Sequence, residues 1–405
     1  MAETSSLLPV DEVIETLLAA AEPIADIEIV TIEDCLGRVL AENLVSEVDV
    51  PPAANSQMDG YAVNVDDGRL AEGAEYQVSD RIPAGRVGNP LEPGTLARIF
   101  TGAPIPEGAN AVVMQENTTL LADGRVRVNQ VPRRDENIRP AGQDIPRGAR
   151  ILERGRRLRP QDVALMASTG RADCRVYRRL RVAVMSTGDE LVAPPGPAGP
   201  GQIFNSNQYA ISGLVRSLGM EVVDLGLVAD DPEATETALQ RGAAEADCII
   251  SSGGVSVGEE DHVKQAIERL GALKLWRIAI KPGKPLAFGT VAGTPFFGLP
   301  GNPVSTFVTF SMIARPYLLK YQGCTTVLPK PVFARAQFEV ASGSRREYLR
   351  VRVHADDEGN LLASAYENQG SGVMSSLSWA DALAEVDIGQ QVTPGDRLKL
   401  YLLPE

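Results

Sequence analysis

The chain has 405 residues, 44% apolar and 23% charged, with a formal net charge of −14. That is ordinary globular composition at a length sufficient for several cores, and the acidic balance argues against nucleic acid or anionic lipid as partners. No apolar run approaches the ~20 residues of a membrane span, and the start, "MAETSSLLPVDEV", lacks the basic and apolar regions of a secretory signal.

In chain order, Val10, Val13, Ile14, Leu17 and Leu18 form one apolar stripe, which predicts a helix. From about 47 to 139, short apolar runs broken by Gly and Pro predict a compact β domain. Residues 140 to 178 return to strand and helix, with Pro160 placed to open "PQDVALMAS". The Arg-rich stretch from Arg150 to Arg181 reads as a solvated or interface face pairing with acidic neighbours.

From 179 to 326 strands and helices alternate: "RLRVAVMS", "NSNQYAISGLVRSLG", "MEVVDLG", "DPEATETALQRGAA", "DCIIS", "DHVKQAIERLG", "LKLWRIAI". This spacing predicts a parallel sheet with right-handed crossovers. From about 327 onward, short strands predict a small closing β domain.

Ligands of an open parallel sheet bind beyond the carboxyl ends of its strands. Those ends are "STGDEL" (186–191), "VADDP" (228–232), "SSGGVSVGEED" (251–261), "KPGKP" (281–285) and "LPGNP" (299–303). Each has a bland alternative. Asp231-Pro232 and Asn302-Pro303 read as helix caps, the acids at 259 to 261 as complements to a helix dipole, and Lys281 and Lys284 as surface lysines. Together, however, glycine amides and helix N-termini favour an anion, and the carboxylates favour a hard cation. With only two histidines, His262 and His354, a His-centred triad is disfavoured. Cys35, Cys174, Cys248 and Cys324 are scattered, without C-x-x-C, against zinc or disulfides and for a reducing cytoplasm.

"NSQMDGYAV", "RIFTGAPIPEGA", "IRPAGQDI", "STGDEL", "SSGGVSVGEED", "KPGKPLAFG" and "GLPGNPVS" occur in this order across the chain, with "NQGSGVMSSL" near its end. The sequence thereby resembles the molybdopterin molybdenumtransferase family, which includes the gephyrin E domain. The resemblance implies a multidomain α/β plus β fold. Its parts are an elongated discontinuous α+β segment (1–46 and 140–178), an inserted β domain (47–139), a parallel-sheet α/β pterin-binding domain (179–326) and a C-terminal β barrel (327–405). It also implies a homodimer with the site at the subunit interface. The implied reaction inserts molybdate into adenylylated molybdopterin, releasing AMP, with Mg2+ as the divalent metal. Partners would include molybdopterin adenylyltransferase and other cofactor-synthesis proteins. Two other readings of the same loops are a non-catalytic molybdopterin-binding scaffold and a nucleotide pyrophosphatase.

Residue by residue, the resemblance assigns catalytic roles to Asp59, Thr101, Asp144, Glu190, Asp230, Asp261, Lys281 and Lys284. Asp189, Glu190, Asp230 and Asp261 would hold the metal. Substrate contacts fall on Arg139, on Ser186, Thr187 and Gly188, and on Ser252, Gly253, Gly254, Val255 and Ser256. They continue on Pro300, Asn302, Pro303 and Ser305, then Arg345, Arg350 and Ser371. The chain departs from the family where Phe-Asp-Asn-Ser is usual and it has Ala53-Ala54-Asn55-Ser56. It departs again where Asp is usual and it has Asn110 and Asn205.

Overall fold

A computed structural model describes residues 7–254 and 262–404. Helix α1 (Val10–Ala20) buries Val10, Val13 and Leu17, its predicted stripe. That face joins one core with Val182, Ile278, Phe310 and Leu318, and Arg346 grips Asp11 through two 2.8 Å bonds. The first helix therefore packs with the α/β region, and Val39 and Ala41 share the same core. Ile27–Thr31 pairs antiparallel with Asp173–Tyr177, and Leu44–Val45 pairs with Arg150–Leu152. Two distant chain pieces thus share a core of Cys35, Leu40, Leu44, Leu158, Met166 and Val176. Helix α2 (Pro160–Ser168) starts at the expected proline.

Between these pieces lie a four-stranded sheet (Val78–Ile82, Leu96–Ile99, Gly60–Val63, Ala111–Met114) and a three-stranded one (Glu75–Tyr76, Val126–Val128, Thr118–Leu120). The Arg-rich stretch pairs as expected: Arg156 and Arg159 with Asp162, Arg178 and Arg181 with Asp247.

The central sheet uses β1 (Arg181–Thr187), β2 (Glu221–Val228), β3 (Cys248–Ser252), β4 (Gly271–Arg277), β5 (Pro285–Val291) and β6 (Thr294–Leu299). Their order is β2-β1-β3-β6-β5-β4. β1 and β3 are apolar runs buried along nearly their whole length, as strands covered on both faces must be. Their covers are α3 (Asn207–Ser217), α4 (Pro232–Glu245), α5 (His262–Leu270) and α6 (Pro303–Thr309), which continues through a π-helical segment (Phe310–Ala314) into α7 (Arg315–Tyr321). Asp231 caps α4 as expected, accepting from the amides of Glu233 and Ala234 at 3.0 Å each.

One expectation needs correction: the sheet is mixed. β1, β2, β3 and β6 run parallel, but β5 runs antiparallel to both β6 and β4. A tight connection of β5 to β6 through Ala292-Gly293 permits only antiparallel pairing. After β4, Ile280–Lys281 leaves this sheet and pairs with the last one. There β7 (Val332–Ala336), β8 (Arg346–Ala355), β9 (Leu361–Ala365), β10 (Ala382–Val386) and β11 (Arg397–Leu402) close as β8-β9-β7-β11-β10-β8, a five-stranded barrel.

Among the described residues no helix is long and apolar enough to cross a membrane. All four cysteines are buried and free.

Candidate functional site

A cavity of about 560 Å³ opens where the end of β3, the loop before β5, the loop after β6 and two loops at the barrel's edge meet. Gly253, Gly254, Lys281, Lys284, Pro300, Asn302, Ser305, Arg345 and Ser371 line it, so nine of the expected residues converge. Gly253 holds φ +88, and a Cβ there would lie 2.6 Å from the Thr187 carbonyl oxygen. Gly283, at φ +115, would place one 2.3 Å from Thr309 Oγ1. Only glycine lets these loops pack so closely at such φ.

The two lysines differ. Lys281 Nζ donates to Glu347 Oε1 at 2.9 Å. The lysine side chain is half exposed, at 49%, and the carboxylate almost wholly buried, at 7%. Parallel pairing of Lys281 opposite Glu347 sets this contact. Lys284 has no carboxylate partner among the described residues, and so is the freer cation. Lys284, Arg345 and the Ser305 hydroxyl give the cavity donors suited to an oxyanion.

Several expected contacts lie elsewhere. Arg350 is 1% exposed, and its guanidinium donates to Ser376 Oγ (3.0 Å) and the Gly370 carbonyl (3.1 Å). Burial pushes its pKa down to about 10. It anchors the loop carrying Ser371 and does not line the cavity. Ser186 and Ser252 are likewise buried framework: Ser186 donates to Gln208, and Ser252 accepts from Asn207 at 2.7 Å. Thr187, Gly188 and Pro303 flank the cavity without lining it. Asn302 holds the N-cap position of α6 with Pro303 opening the helix, as expected, but its side chain makes no cap bond, and the residue lines the cavity. Val255, Ser256 and Asp261 lie outside the described residues.

Asp189, Glu190 and Asp230 are exposed and line no part of the cavity. They follow the ends of β1 and β2, where Thr187 and Val228 are register partners. Among the described residues no group of three His, Cys, Asp or Glu converges as a metal site. The donor chemistry suits a hard cation, but these described acids do not by themselves form its cage.

The other expected residues form a separate group. Asp59 Oδ1 accepts from the Thr101 amide and hydroxyl, both at 2.8 Å. The amide first, then the hydroxyl, hold that carboxyl below its ordinary value. Arg139 pairs opposite Asn55, and the Asp144 amide bonds the Val50 carbonyl. None of Asp59, Thr101, Arg139 or Asp144 lines the cavity of its own chain.

Residue reading missed Glu347, Gln369 and Asn207. Asn207 ties β3 to the loop after β6, donating to Ser252 Oγ and the Gly301 carbonyl at 2.7 Å each. Gln369 locks the Ser371 loop through the Arg350 amide and carbonyl, 3.0 Å each. Both amides had a signal: they sit inside "NSNQ" and "NQGSG".

The chain matches family models described as "MoeA N-terminal region (domain I and II)" over residues 8–170, "Probable molybdopterin binding domain" over 183–320 and "MoeA C-terminal region (domain IV)" over 334–403. A molybdopterin molybdenumtransferase of Haemophilus influenzae is 40% identical over 357 residues, which cover 86% of this chain and 87% of that protein. The chain belongs to the molybdopterin molybdenumtransferase (MoeA) family. A second MoeA-family relative of the same name, from Nostoc sp., is 37% identical over 94% of this chain and 89% of its own. The crystal structure of the molybdopterin biosynthesis protein MoeA from Pyrococcus horikoshii OT3 superposes with a TM-score of 0.84 at 29% identity. It covers 98% of this chain and 100% of that one. This full-length match carries the multidomain α/β plus β architecture of the MoeA family.

Proposed function

We propose that the chain inserts molybdate into adenylylated molybdopterin, releasing AMP and forming molybdenum cofactor. The observation that carries this is the 560 Å³ cavity with two lysines, an arginine and glycine-lined loops at strand ends, in a chain of this family. In this reading Lys284 and Arg345 neutralise substrate oxyanions. Lys281, oriented by Glu347, adds a second positive point, and Ser305 and Ser371 supply hydroxyl contacts. Removing a dianion from water requires this density of donors. The amides near Gly253 and Gly254 present N–H groups to phosphate oxygens.

Mg2+ would neutralise charge on the phosphoanhydride that is cleaved. Asp189, Glu190, Asp230 and Asp261 are its proposed ligands, on the strength of their oxygen chemistry and strand-end positions. Asp59, Thr101, Arg139 and Asp144 stand apart from the cavity within one chain, which supports a homodimer whose partner subunit completes the site. The proposed division keeps 47–139, 179–326 and 327–405 as units, with 1–46 and 140–178 forming the elongated segment. Four buried free thiols suit a cytoplasmic setting. Molybdopterin adenylyltransferase is the natural supplier of the substrate.

The test is incubation with adenylylated molybdopterin, molybdate and Mg2+, reading AMP release and cofactor formation. Turnover that excess chelator abolishes, and that D261N and E190Q reduce strongly while folding normally, is expected. Chelator-insensitive turnover, equal in these variants and the parent, would sink the metal assignment; no AMP release at all would sink the reaction.

A further inference from the structure

A second, larger polar cleft of about 640 Å³ lies on another part of the molecule and shares no lining residue with the first. Its walls carry Arg150, Arg156, Arg157, Arg159 and Lys330, with Glu153 as the lone acid among them. In a chain of net charge −14, that concentration of cations is unusual.

The ordinary explanation, surface arginines paired with acids, accounts for only part of it. Asp162, just behind the wall, takes Arg156 at 2.7 Å and Arg159 at 3.2 Å, and Glu153 takes Arg150 at 3.3 Å. Among the described residues Arg157 has no carboxylate partner. It donates to the carbonyls of Gly37 (3.3 Å) and Ser217 (3.0 Å). Lys330 has none either among the described residues. Arg157 also lines a neighbouring cavity with Arg315, which donates a long bond to the Val327 carbonyl, 3.4 Å. Burial, then the Arg157 charge, hold the Arg315 pKa below its usual value. Arg156 Nε is also buried without an acceptor. A buried guanidinium N–H without an acceptor, beside an Arg157 that no described carboxylate neutralises, is costly, and an anion held between the walls would relieve both.

The walls are brought together deliberately. Thr325 donates its amide to the Gly155 carbonyl at 3.0 Å. Gly155 has φ +81, and a Cβ there would lie 2.5 Å from Thr325 Cγ2. One wall presents guanidiniums, whose planar forks match phosphoryl oxygens two at a time, and the other an ammonium. An anion able to touch both walls needs more than one charged group.

We propose that this cleft is a binding site for a small molecule bearing two or more linked phosphoryl groups, held chiefly by Arg157 and Lys330. The site stands apart from the proposed reaction and does not depend on it.

The probe is inorganic pyrophosphate, titrated calorimetrically into the full chain at low salt. A K281A/K284A background removes the lysines of the first cavity. One site per chain should survive in that background and weaken as salt rises. Lys330→Glu and Arg157→Met should each weaken it by about fivefold or more. Lys274→Glu, a charge reversal on the edge strand β4 outside both clefts, should leave affinity within about twofold. Lys330 is exposed, so K330E keeps the test decisive should R157M fail to fold. Loss of all pyrophosphate binding in K281A/K284A, parent-like affinity in K330E, or an equal loss in K274E would each overturn the proposal.

Discussion

Replacing Lys281 by alanine should do two things, whereas replacing Lys284 should do one. Lys281 Nζ lies 2.9 Å from Glu347 Oε1, and the carboxylate is almost fully buried on β8. In K281A that carboxylate keeps its burial and loses its cation. A hydrogen bond to a charged group is worth about 1.5–3 kcal/mol. Because the lysine side chain is 49% exposed, solvent screening cuts the expected loss to about 1 kcal/mol. For a unit of roughly this domain size that is a Tm shift of about 2–4 °C. Lys284 has no carboxylate partner among the described residues, so K284A should melt within about 0.5 kcal/mol of the parent. Both variants should bind adenylylated molybdopterin more weakly, by about 1–3 kcal/mol. The decisive measurement is a double-mutant cycle by urea unfolding. Adding Glu347→Gln to K281A should restore stability, since a buried amide costs less than a buried, unpaired carboxylate. If K281A melts like K284A, or if E347Q lowers the stability of K281A further, the pairing does not hold the lysine.

Three further outcomes are expected. Asp231→Ala removes the cap of α4 and should cost about 1 kcal/mol in urea unfolding, whereas Asp231→Asn should stay near the parent. Gly283→Ala forces a Cβ into a positive-φ turn against Thr309 Oγ1 and should cost about 1–3 kcal/mol; adding Thr309→Ala should recover part of the melt. Burial raises the Asp247 carboxyl, but the bonds from Arg178 and the Arg181 amide outweigh it and hold it below its ordinary 3.8. With its folded pKa below its unfolded one, Asp247 stabilises the fold above about pH 4 and loses that contribution as pH falls through the folded value. Asp247→Asn should therefore flatten the acid limb of the stability profile, and an unchanged limb would count against this.

Legibility in the sequence followed the range of the interaction. Apolar runs ending in Gly, Pro and charged residues mark where buried strands stop, so the loops carrying Gly253, Lys281, Lys284 and Asn302 can be found by counting. The Asp231 cap is equally local, since its donors are two and three residues away. Strand direction is written in the connections and not in the strands. "PLAFGTV" by itself carries no orientation, whereas the two-residue link Ala292-Gly293 that follows it leaves β5 and β6 only an antiparallel hairpin. The Lys281–Glu347 pair spans 66 residues and depends on Ile280–Lys281 leaving one sheet for another. The bonds of Arg350 are non-local too: its guanidinium is buried and donates to the Gly370 carbonyl 20 residues along the chain, a partner that "SRREYLR" does not disclose.

The departures from the family pattern separate once their bonds are known. Asn205 Oδ1 accepts from the Gln208 amide at 3.2 Å beside the start of α3. An aspartate oxygen accepts equally well, so the carboxylate is not needed for that task. Asn110 works as both partner types. Its Oδ1 accepts from the Val65 amide at 2.8 Å, and its Nδ2 donates to Asp66 Oδ2 at 2.8 Å. A carboxylate could fill only the first role and would set a second negative charge against Asp66, whose cation is Arg134. Asn110 is thus fitted to its own neighbours, two residues of a local network instead of a vacancy in a metal site. Ala54 is different. Its carbonyl accepts from the Ile105 amide at 3.0 Å, a bond any residue makes, and its methyl side chain has no polar group to replace a carboxylate. If the missing acids alter how this chain handles its oxyanion, position 54 is where the change lies, next to Asn55, whose strand partner is Arg139.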